Sequence, residues 1–448
     1  MAERFDAVVI GTGPAGEVAV SRLAAQNLRV ALVERELIGG ECAYWACIPS
    51  KTLLRPPESR FEARRTAGVD DPATHWPQVA EYRDYMIRNL DDSGQVAGYE
   101  QQGVTVVKGN GRITGPGVVD VAGRSLQTDR IIVATGSDAA IPPIAGLEEA
   151  GYWTNREATT LQELPESIVI LGGGPVGVEL GQFFARFGVT TTIVEAADRL
   201  LSREDPAVGE IIINTLREEG IDVRVSARAE RVQTRDGRRV VTLEDGEEVS
   251  GQQLLVATGR RPRVEGIGLE NVGIEANSKG IEVDDRCRAG DGVWAIGDVT
   301  GVMPFTHVGM YQARIAAADI AGDGHSADYT AIPRVVFSDP EIAAVGLTER
   351  QAHDHGVDVA TARVSLPDTI ARPWTYEKNP RGDLGLIADR QRQVLVGAWA
   401  VAPLAGEWIH QTALAVKAQI PLSVLRDTVA QFPTFSEAVL KGVEALDA

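Results

Sequence analysis

Ala7-Val8-Val9-Ile10-Gly11-Thr12-Gly13-Pro14-Ala15-Gly16 and Ile168-Val169-Ile170-Leu171-Gly172-Gly173-Gly174-Pro175-Val176-Gly177 are two versions of one pattern. Each is a short apolar, β-rich run that enters a Gly-x-Gly-x-x-Gly turn and then a helical stretch. A second strand follows in both: Arg29–Val33 ends at Glu34, and Thr192-Ile193-Val194 ends at Glu195. The glycines have distinct mechanical roles. The first permits the tight turn, the second lets backbone approach a pyrophosphate, and the third lets helix pack on strand. The helix N-terminus then faces the phosphates, and the acid accepts hydrogen bonds from ribose hydroxyls. A lone Gly-x-Gly-x-x-Gly is weak, but here strand, turn, helix, strand and acid stand in the order that supports the reading. Gly11 and Gly172 are 161 positions apart, as are Glu34 and Glu195. Two dinucleotide sites are predicted.

Other punctuation repeats. Ile131-Ile132-Val133-Ala134-Thr135-Gly136 and Leu254-Leu255-Val256-Ala257-Thr258-Gly259 are both apolar strands ending in Ala-Thr-Gly. Trp294-Ala295-Ile296-Gly297-Asp298 is a further short strand ending at an acid, on the edge where open α/β sheets bind ligands. After Pro333 the character changes. Turns rich in proline and charge separate Val335–Phe337, Gly385–Ile387 and Val394–Gly397, and helix-like runs follow at Glu407–Lys417 and Ala438–Ala445. The fold class expected is α/β, with two Rossmann-like dinucleotide-binding domains and a C-terminal α+β domain whose sheet is partly antiparallel. A chain of 448 residues is long enough for two or three such domains.

Lys+Arg 44 against Asp+Glu 63 gives a formal charge of −19, which repels phosphate backbones and anionic lipid. Nucleic acid and membrane surfaces are therefore unexpected partners, and the longest apolar runs fall far short of a span. The charged segment Met1–Asp6 leads straight into a strand and lacks the features of a signal peptide. A cytoplasmic protein is expected, with its cysteines in a reducing compartment.

There are three cysteines, Cys42, Cys47 and Cys287, and two of them fall within six residues just beyond Glu34. Zinc normally needs four ligands, and one remote cysteine with six scattered histidines offers no recognisable set. No metal is predicted, and a redox pair fits better. On a regular helix, residues five apart have Cα atoms roughly 8–9 Å apart, whereas a disulfide needs about 4.4–6.8 Å. The segment must therefore be distorted, or begin its helix late, if the pair is to close. Lys51 lies four residues beyond Cys47, where a cation would favour thiolate and stabilise negative charge on a reduced cofactor.

These motifs together resemble those of the class I pyridine nucleotide-disulfide oxidoreductases, which include dihydrolipoamide dehydrogenase, glutathione reductase and mercuric reductase. The likeness runs from Gly11 through Gly-Gly-x-Cys-x4-Cys-Ile-Pro-Ser-Lys at 39–51, Gly-Val-Glu-Leu-Gly at 177–181, Gly297-Asp298 and Val-Gly-Leu-Thr-Glu at 345–349. The resemblance implies an FAD domain made of 1–150 and 263–330, an NAD(P) domain at 155–262, and a dimerisation domain at 331–448 that completes a partner's site in a homodimer. It assigns Gly11, Gly13, Gly16, Glu34 and Asp298 to FAD, and Gly172, Gly174, Gly177 and Glu195 to the nicotinamide dinucleotide. Gly111, Thr135, Gly136 and Gly259 are further candidate cofactor contacts. Glu195 favours NADH over NADPH, although Arg199 nearby leaves NADPH open. Electrons would pass from nicotinamide to FAD, then through Cys47, the flavin-facing sulfur, to Cys42, which exchanges with substrate. Lys51 would sit by the flavin and pair with Glu179.

The sequence also departs from that family. Disulfide-reducing members carry His-Pro-Thr-x-Ser-Glu near the C-terminus, with the His as acid-base on the partner's thiol and the Glu orienting it. Here the stretch reads Phe432-Pro433-Thr434-Phe435-Ser436-Glu437. Glu437 is kept, but phenylalanine cannot move a proton, and positioned bases supply roughly 10²–10⁴-fold. His410 lies in an amphipathic helical run and reads as structural. Tyr44 and Trp45 stand between the cysteines, where bulk can block a peptide-like disulfide or offer a stacking face to a quinone. Pro175 replaces a Tyr that covers the flavin in several members. Mercuric reductases also lack the His but carry a C-terminal cysteine pair, which is absent from Glu444–Ala448. The leading expectation is an NADH-dependent disulfide reductase. The alternatives are a reductase of quinone, metal ion or another small acceptor, and a flavin-bound redox sensor.

Overall fold

The computed structural model describes residues 3–447. The elements that position the first glycine turn and the cysteines are β1 (Ala7–Ile10), α1 (Pro14–Ala24), β2 (Val30–Glu34), α2 (Gly40–Tyr44), α3 (Cys47–Arg65), β3 (Thr105–Lys108) and β4 (Ile131–Val133). Those around the second are β5 (Ser167–Leu171), α4 (Pro175–Arg186), β6 (Thr190–Val194), β7 (Asp222–Arg224) and β8 (Gln253–Val256). Next come β9 (Arg288–Gly290), β10 (Val293–Ala295) and α5 (Thr306–Ile320). The C-terminal strands are β11 (Pro333–Val336), β12 (Glu341–Gly346), β13 (Val359–Ser365), β14 (Asp383–Asp389) and β15 (Val394–Ala402), and the helices α6 (His410–Lys417) and α7 (Glu437–Glu444) follow them. Two compact units result. One gathers Met1–Ser50, Ala80–Ile141 and Gly259–Asp328; the other gathers Lys51–Val79, Pro142–Thr258 and Tyr329–Ala448.

In the first unit a six-stranded sheet has the order β9-β10-β4-β1-β2-β3, parallel except between β9 and β10. β1 is buried on both faces, which explains its unbroken apolar run. Ala7 and Val9 pack with Leu23 of α1 and Ala313 of α5, while Val8 and Ile10 pack with Val119, Leu126 and Ile267. In the second unit the order is β7-β6-β5-β8, parallel throughout, with Ile168 and Ile170 packed against Phe183 and Phe184 of α4. Val8 faces Ala31 across β1–β2, and Val169 faces Thr192 across β5–β6. The strand pairing that carries Glu34 and Glu195 is thus the same in both units.

The second unit also holds the sheet β11-β12-β15-β14-β13, in which every pair is antiparallel rather than only part. β14 and β15 are joined by the tight turn Arg390–Gln393, a connection only antiparallel neighbours allow. The helix-like run at Glu407–Lys417 is a single turn at Ala405–Trp408 followed by α6.

The C-terminal end of α3 is pinned by charge within the second unit. Arg65 grips Asp339 through both guanidinium nitrogens at 2.9 Å, and Arg186 at the end of α4 meets the same carboxylate at 2.9 Å and Glu219 at 2.6 Å. Burial pushes the Asp339 carboxyl up, but the two guanidiniums outweigh it and hold it below the ordinary carboxylate value. A depressed folded-state pKa adds stability that is present above the unfolded value of about 3.9 and lost as pH falls through the folded one. Asp339→Asn is therefore expected to lower stability at neutral pH by about 3 kcal/mol, the cost of leaving buried arginines short of charge. Urea unfolding of both proteins across pH checks this; the difference must shrink as the pH drops below about 4.

Candidate active site

The first glycine turn is fixed by its own backbone. Gly11 has φ +94°, and a Cβ there would lie 2.5 Å from the Ala134 carbonyl oxygen. A Cβ on Gly16 would strike the Gly11 carbonyl. A Cβ on Gly13, by contrast, would meet no protein atom within 4 Å. The second turn repeats this: Gly172 has φ +113° and is pressed against Ala257, Gly177 against the Gly172 carbonyl, and Gly174 against nothing within 4 Å. No protein atom therefore requires glycine at these two middle positions. Gly13 and Gly174 are also the N-caps of α1 and α4, have no side-chain cap, and are followed by Pro at the first helical position. The first-turn N–H groups are left for an anion.

Glu34 is buried, and its Oε2 accepts from the Thr12 N–H at 2.8 Å and the Thr12 hydroxyl at 2.7 Å, while Oε1 accepts from Glu36 N–H. Glu195 accepts from the Gly173 and Ala197 N–H groups at 2.6 and 2.7 Å. Both carboxylates are oriented at the end of a strand, beside their glycine turn. In the first unit a cavity of about 450 Å³ opens at this edge, within the range of cofactor sites. Gly11, Gly13, Glu34, Gly111, Thr135, Gly136 and Asp298 line it. Gly16 acts from behind, in the packing of α1, and Gly259 accepts a hydrogen bond from Ala140 N–H. Asp298 accepts from the Ser137 hydroxyl at 2.5 Å.

Three contributors to this cavity escaped the sequence reading. Arg260 is held by the Ser137 hydroxyl and carbonyl, both at 2.7 Å, and Arg263 by Asp138 at 2.6 Å. Both line the cavity and bring cations to it in an acidic chain. The cluster Arg260-Arg261-Pro262-Arg263 after an Ala-Thr-Gly strand was the available signal. Thr306, the third, had none.

Cys42 lines the same cavity. The helix between the cysteines breaks as the spacing required: α2 stops at Tyr44, Trp45 turns to φ −134°, and α3 starts at Cys47. The Thr306 hydroxyl lies 3.3 Å from Cys42 Sγ and 3.4 Å from Cys47 Sγ. A hydrogen bond with Cys47, followed by burial, pushes the Cys42 thiol above its ordinary value, and Thr306 opposes that rise. Tyr44 offers no stacking face. It is fully buried, donates to the Ile38 carbonyl at 3.1 Å, and receives Arg88 at 3.3 Å. Trp45 is half-buried against it.

In the second unit the ion pair expected of Lys51 and Glu179 is present at 2.7 Å. Glu179 is buried and takes the Phe337 N–H on its other oxygen, and the Lys51 ammonium stands 4.7 Å from the Phe337 ring centroid. Among the described residues, no cluster of His, Cys, Asp or Glu could hold a metal ion, and no helix is long and apolar enough to cross a membrane.

The family described as "Pyridine nucleotide-disulphide oxidoreductase" matches residues 5–313, and its dimerisation domain matches 332–442. The chain belongs to that family. Mercuric reductase of Bacillus cereus is 32% identical over 454 residues, covering 99% of this chain and 72% of that protein. Dihydrolipoyl dehydrogenase of Geobacillus stearothermophilus is 33% identical over 453 residues, covering 98% and 95%. Among solved structures, the Cu(II) complex of the HOCl-induced flavoprotein disulfide reductase RclA from Escherichia coli aligns with TM-score 0.87 at 31% identity, over 97% of this chain and 99% of that one. LpdA from Mycobacterium tuberculosis aligns with TM-score 0.88 at 29% identity, over 99% of each.

The cofactors of this oxidoreductase are FAD and NAD(P)H, and its residues fit both: two uncapped helix N-termini, two oriented carboxylates, and two middle glycines that no protein atom requires. The C-terminal stretch fits the disulfide-reducing pattern less well. Phe432 is 73% exposed, and Glu437 Oε2 is buried with no hydrogen-bond partner among the described residues. His410 is exposed at the start of α6.

Gly13→Ala and Gly174→Ala separate folding from binding. Both positions have extended, negative-φ backbone that alanine adopts, so each variant should unfold at the wild-type urea concentration. Gly13→Ala should weaken FAD binding about tenfold or more, a loss of about 1.4 kcal/mol. Gly174→Ala should retain FAD and raise KM for the nicotinamide by a similar factor. Fluorescence titration of the apoprotein with FAD, and steady-state kinetics, are the measurements.

Proposed function

We propose that this oxidoreductase takes electrons from NADH and delivers them through Cys42 and Cys47 to a small-molecule disulfide. The observation that carries this reading is the cysteine pair itself: Cys42 lines the cofactor cavity and shares one hydroxyl with Cys47. FAD, when bound, supplies the two-electron chemistry that joins the nicotinamide to the cysteines. Gly11, Gly13, Gly16, Glu34 and Asp298 bind it, with Gly111, Thr135, Gly136 and Gly259 shaping the surrounding turns. Gly172, Gly174, Gly177 and Glu195 bind the nicotinamide dinucleotide. Lys51, oriented by Glu179, supplies positive charge to the reduced cofactor. By the family resemblance Cys47 is assigned to the flavin and Cys42 to the acceptor, although Cys42 is the one of the two among the residues lining the cavity. Glu195 repels a 2′-phosphate, and Arg199 is engaged by Asp198 and the Ser202 carbonyl, which supports NADH over NADPH.

The three-part division into 1–150 with 263–330, 155–262 and 331–448 belongs to this proposal, and it is supported by the six-stranded sheet, the parallel four-stranded sheet of β5 to β8 and the antiparallel five-stranded sheet each falling within one of the three parts. So does a homodimer. The dimerisation domain exposes Val429, Phe432, Leu414 and Val424, an apolar set that a second copy would cover. Sedimentation should give twice the 47.9 kDa chain mass. A cytoplasmic location is the reading that keeps the enzyme beside its NADH.

One observation favours a second acceptor class. With Phe432 exposed in place of the histidine and Glu437 Oε2 without a hydrogen-bond partner among the described residues, the proton-handling group of disulfide reductases is missing, so a quinone or metal ion is the alternative acceptor. Relatives named mercuric reductase, and a solved relative bound to Cu(II), make the metal arm worth measuring. Steady-state kinetics with lipoamide, glutathione disulfide, a quinone and Hg(II) or Cu(II) decides between them. Disulfide turnover is expected to vanish in Cys42→Ser; turnover unchanged with every acceptor ends the relay reading. Faster turnover with quinone or metal than with any disulfide selects the second.

Phe432→His is expected to raise lipoamide turnover at neutral pH on the order of 10²-fold, as a restored base should. A variant that forms dimers but gains nothing shows that the missing base does not limit the reaction.

A further inference from the structure

Thr306 is the first residue of α5, a 15-residue helix, and the helix N-cap makes no side-chain capping bond. Its hydroxyl is turned to the cysteines, donating to Cys42 Sγ at 3.3 Å and lying 3.4 Å from Cys47 Sγ, where either atom can be the donor. A hydroxyl both donates and accepts, so it can exchange one proton for another without changing its own charge. Thr306 is separated from Cys42 by 264 positions, so their meeting is purely a product of the fold.

The titratable neighbours do not take this role. Glu41 lies 3.8 Å from both Arg260 and Arg263. His307 stacks on Phe305 at 5.3 Å. Lys51, one turn along α3 from Cys47, is bound to Glu179 and lies over Phe337.

We propose that the Thr306 hydroxyl is the proton carrier of the cysteine pair, moving a proton between Cys42 and Cys47 so that the attacking thiolate forms on Cys42. The inference rests on the relay reading only in taking these two thiols as the reacting groups. From one thiol and one thiolate, Cys42 gives its proton to Thr306 Oγ1 while Oγ1 passes its own to Cys47. The Cys42 thiolate then attacks the substrate disulfide. A Cys42–sulfur bond forms, the substrate S–S bond breaks, and one sulfur departs as thiolate. Cys47 yields its proton to that sulfur and attacks Cys42. The mixed disulfide breaks, the second sulfur leaves as thiolate, and the Cys42–Cys47 bond closes. The cysteines lose two electrons and the substrate gains them.

The test is iodoacetamide alkylation of the reduced protein across pH, resolved to Cys42 and Cys47 by peptide mapping, in the apoprotein and with FAD bound. Thr306→Val should slow Cys42 alkylation about tenfold near pH 7 and move its profile up by about one pH unit, the loss of one hydrogen bond to a charged sulfur. Thr306→Ser should keep the wild-type profile. If Thr306→Val fails to bind FAD, Thr306→Ala removes the hydroxyl without crowding and is read in the same way. Profiles that superimpose on wild type in both hydroxyl-free variants overturn the proposal, and so does a serine variant that falls as far as valine. Alkylation needs no acceptor and no turnover, so this result is independent of the Cys42→Ser kinetics that judge the relay.

Discussion

The carboxylates of Glu34 and Glu195 each hold a glycine turn against the end of their own strand, and both proposed dinucleotide sites depend on that attachment. Glu34 takes the Thr12 N–H and hydroxyl; Glu195 takes the Gly173 N–H. With the first and third glycines of each turn pressed against backbone, the turn has one way to run. It delivers an uncapped helix start on one side and a fixed carboxylate on the other. An anion meets oriented N–H groups there, and hydroxyls meet lone pairs already in place, so little ordering remains to be done on binding. Strand burial supplies the rigidity. β1 and β5 are buried on both faces, and a shift of either strand by one residue would carry its acid away from its turn.

Charge arranges the rest around these two turns. A chain with formal charge −19 that binds two dinucleotides must place cations locally, and Arg260 and Arg263 do so at the first cavity. Each is held by Ser137 or Asp138, so its position does not depend on the ligand. Lys51 is treated the same way, fixed by Glu179 and set over Phe337. Further along α3, Arg65 is locked to Asp339, which Arg186 also holds. The helix that begins at Cys47 is therefore fixed at its far end.

Much of this was legible in the sequence because the decisive relations are local. Strand, turn, helix and acid fall within about thirty residues of one another, and their recurrence at 161 positions needs no tertiary information. The break between the cysteines followed from helix geometry alone. Thr306 was not legible, since nothing in a threonine before a helix says that a cysteine pair 264 positions away will meet its hydroxyl. Tyr44 was read the wrong way round for a related reason. An aromatic residue between reactive cysteines suggests a contact surface, but its burial is decided by Ile38 and Arg88. The antiparallel C-terminal sheet was seen only in part, because short apolar runs do not reveal strand direction.

Proton handling is where this chain departs most from the disulfide-reducing pattern. A histidine supplied by a second subunit would make thiol activation depend on dimer assembly, and it would keep a base near the thiol through turnover. Phe432 removes that dependence, and among the described residues Glu437 Oε2 has no hydrogen-bond partner. The ionisation of Cys42 is then governed by Cys47, burial and Thr306, two of which oppose it. A thiol held above its ordinary value is ionised in few molecules but is a stronger nucleophile once ionised, and exchange also quickens as the leaving sulfur becomes more acidic. On the function proposed above, the acceptor that would suit this site is one whose departing atom needs little protonation: an activated disulfide, or a soft metal ion that binds thiolate directly. An alkyl disulfide that releases a basic thiolate asks the most of a site without histidine.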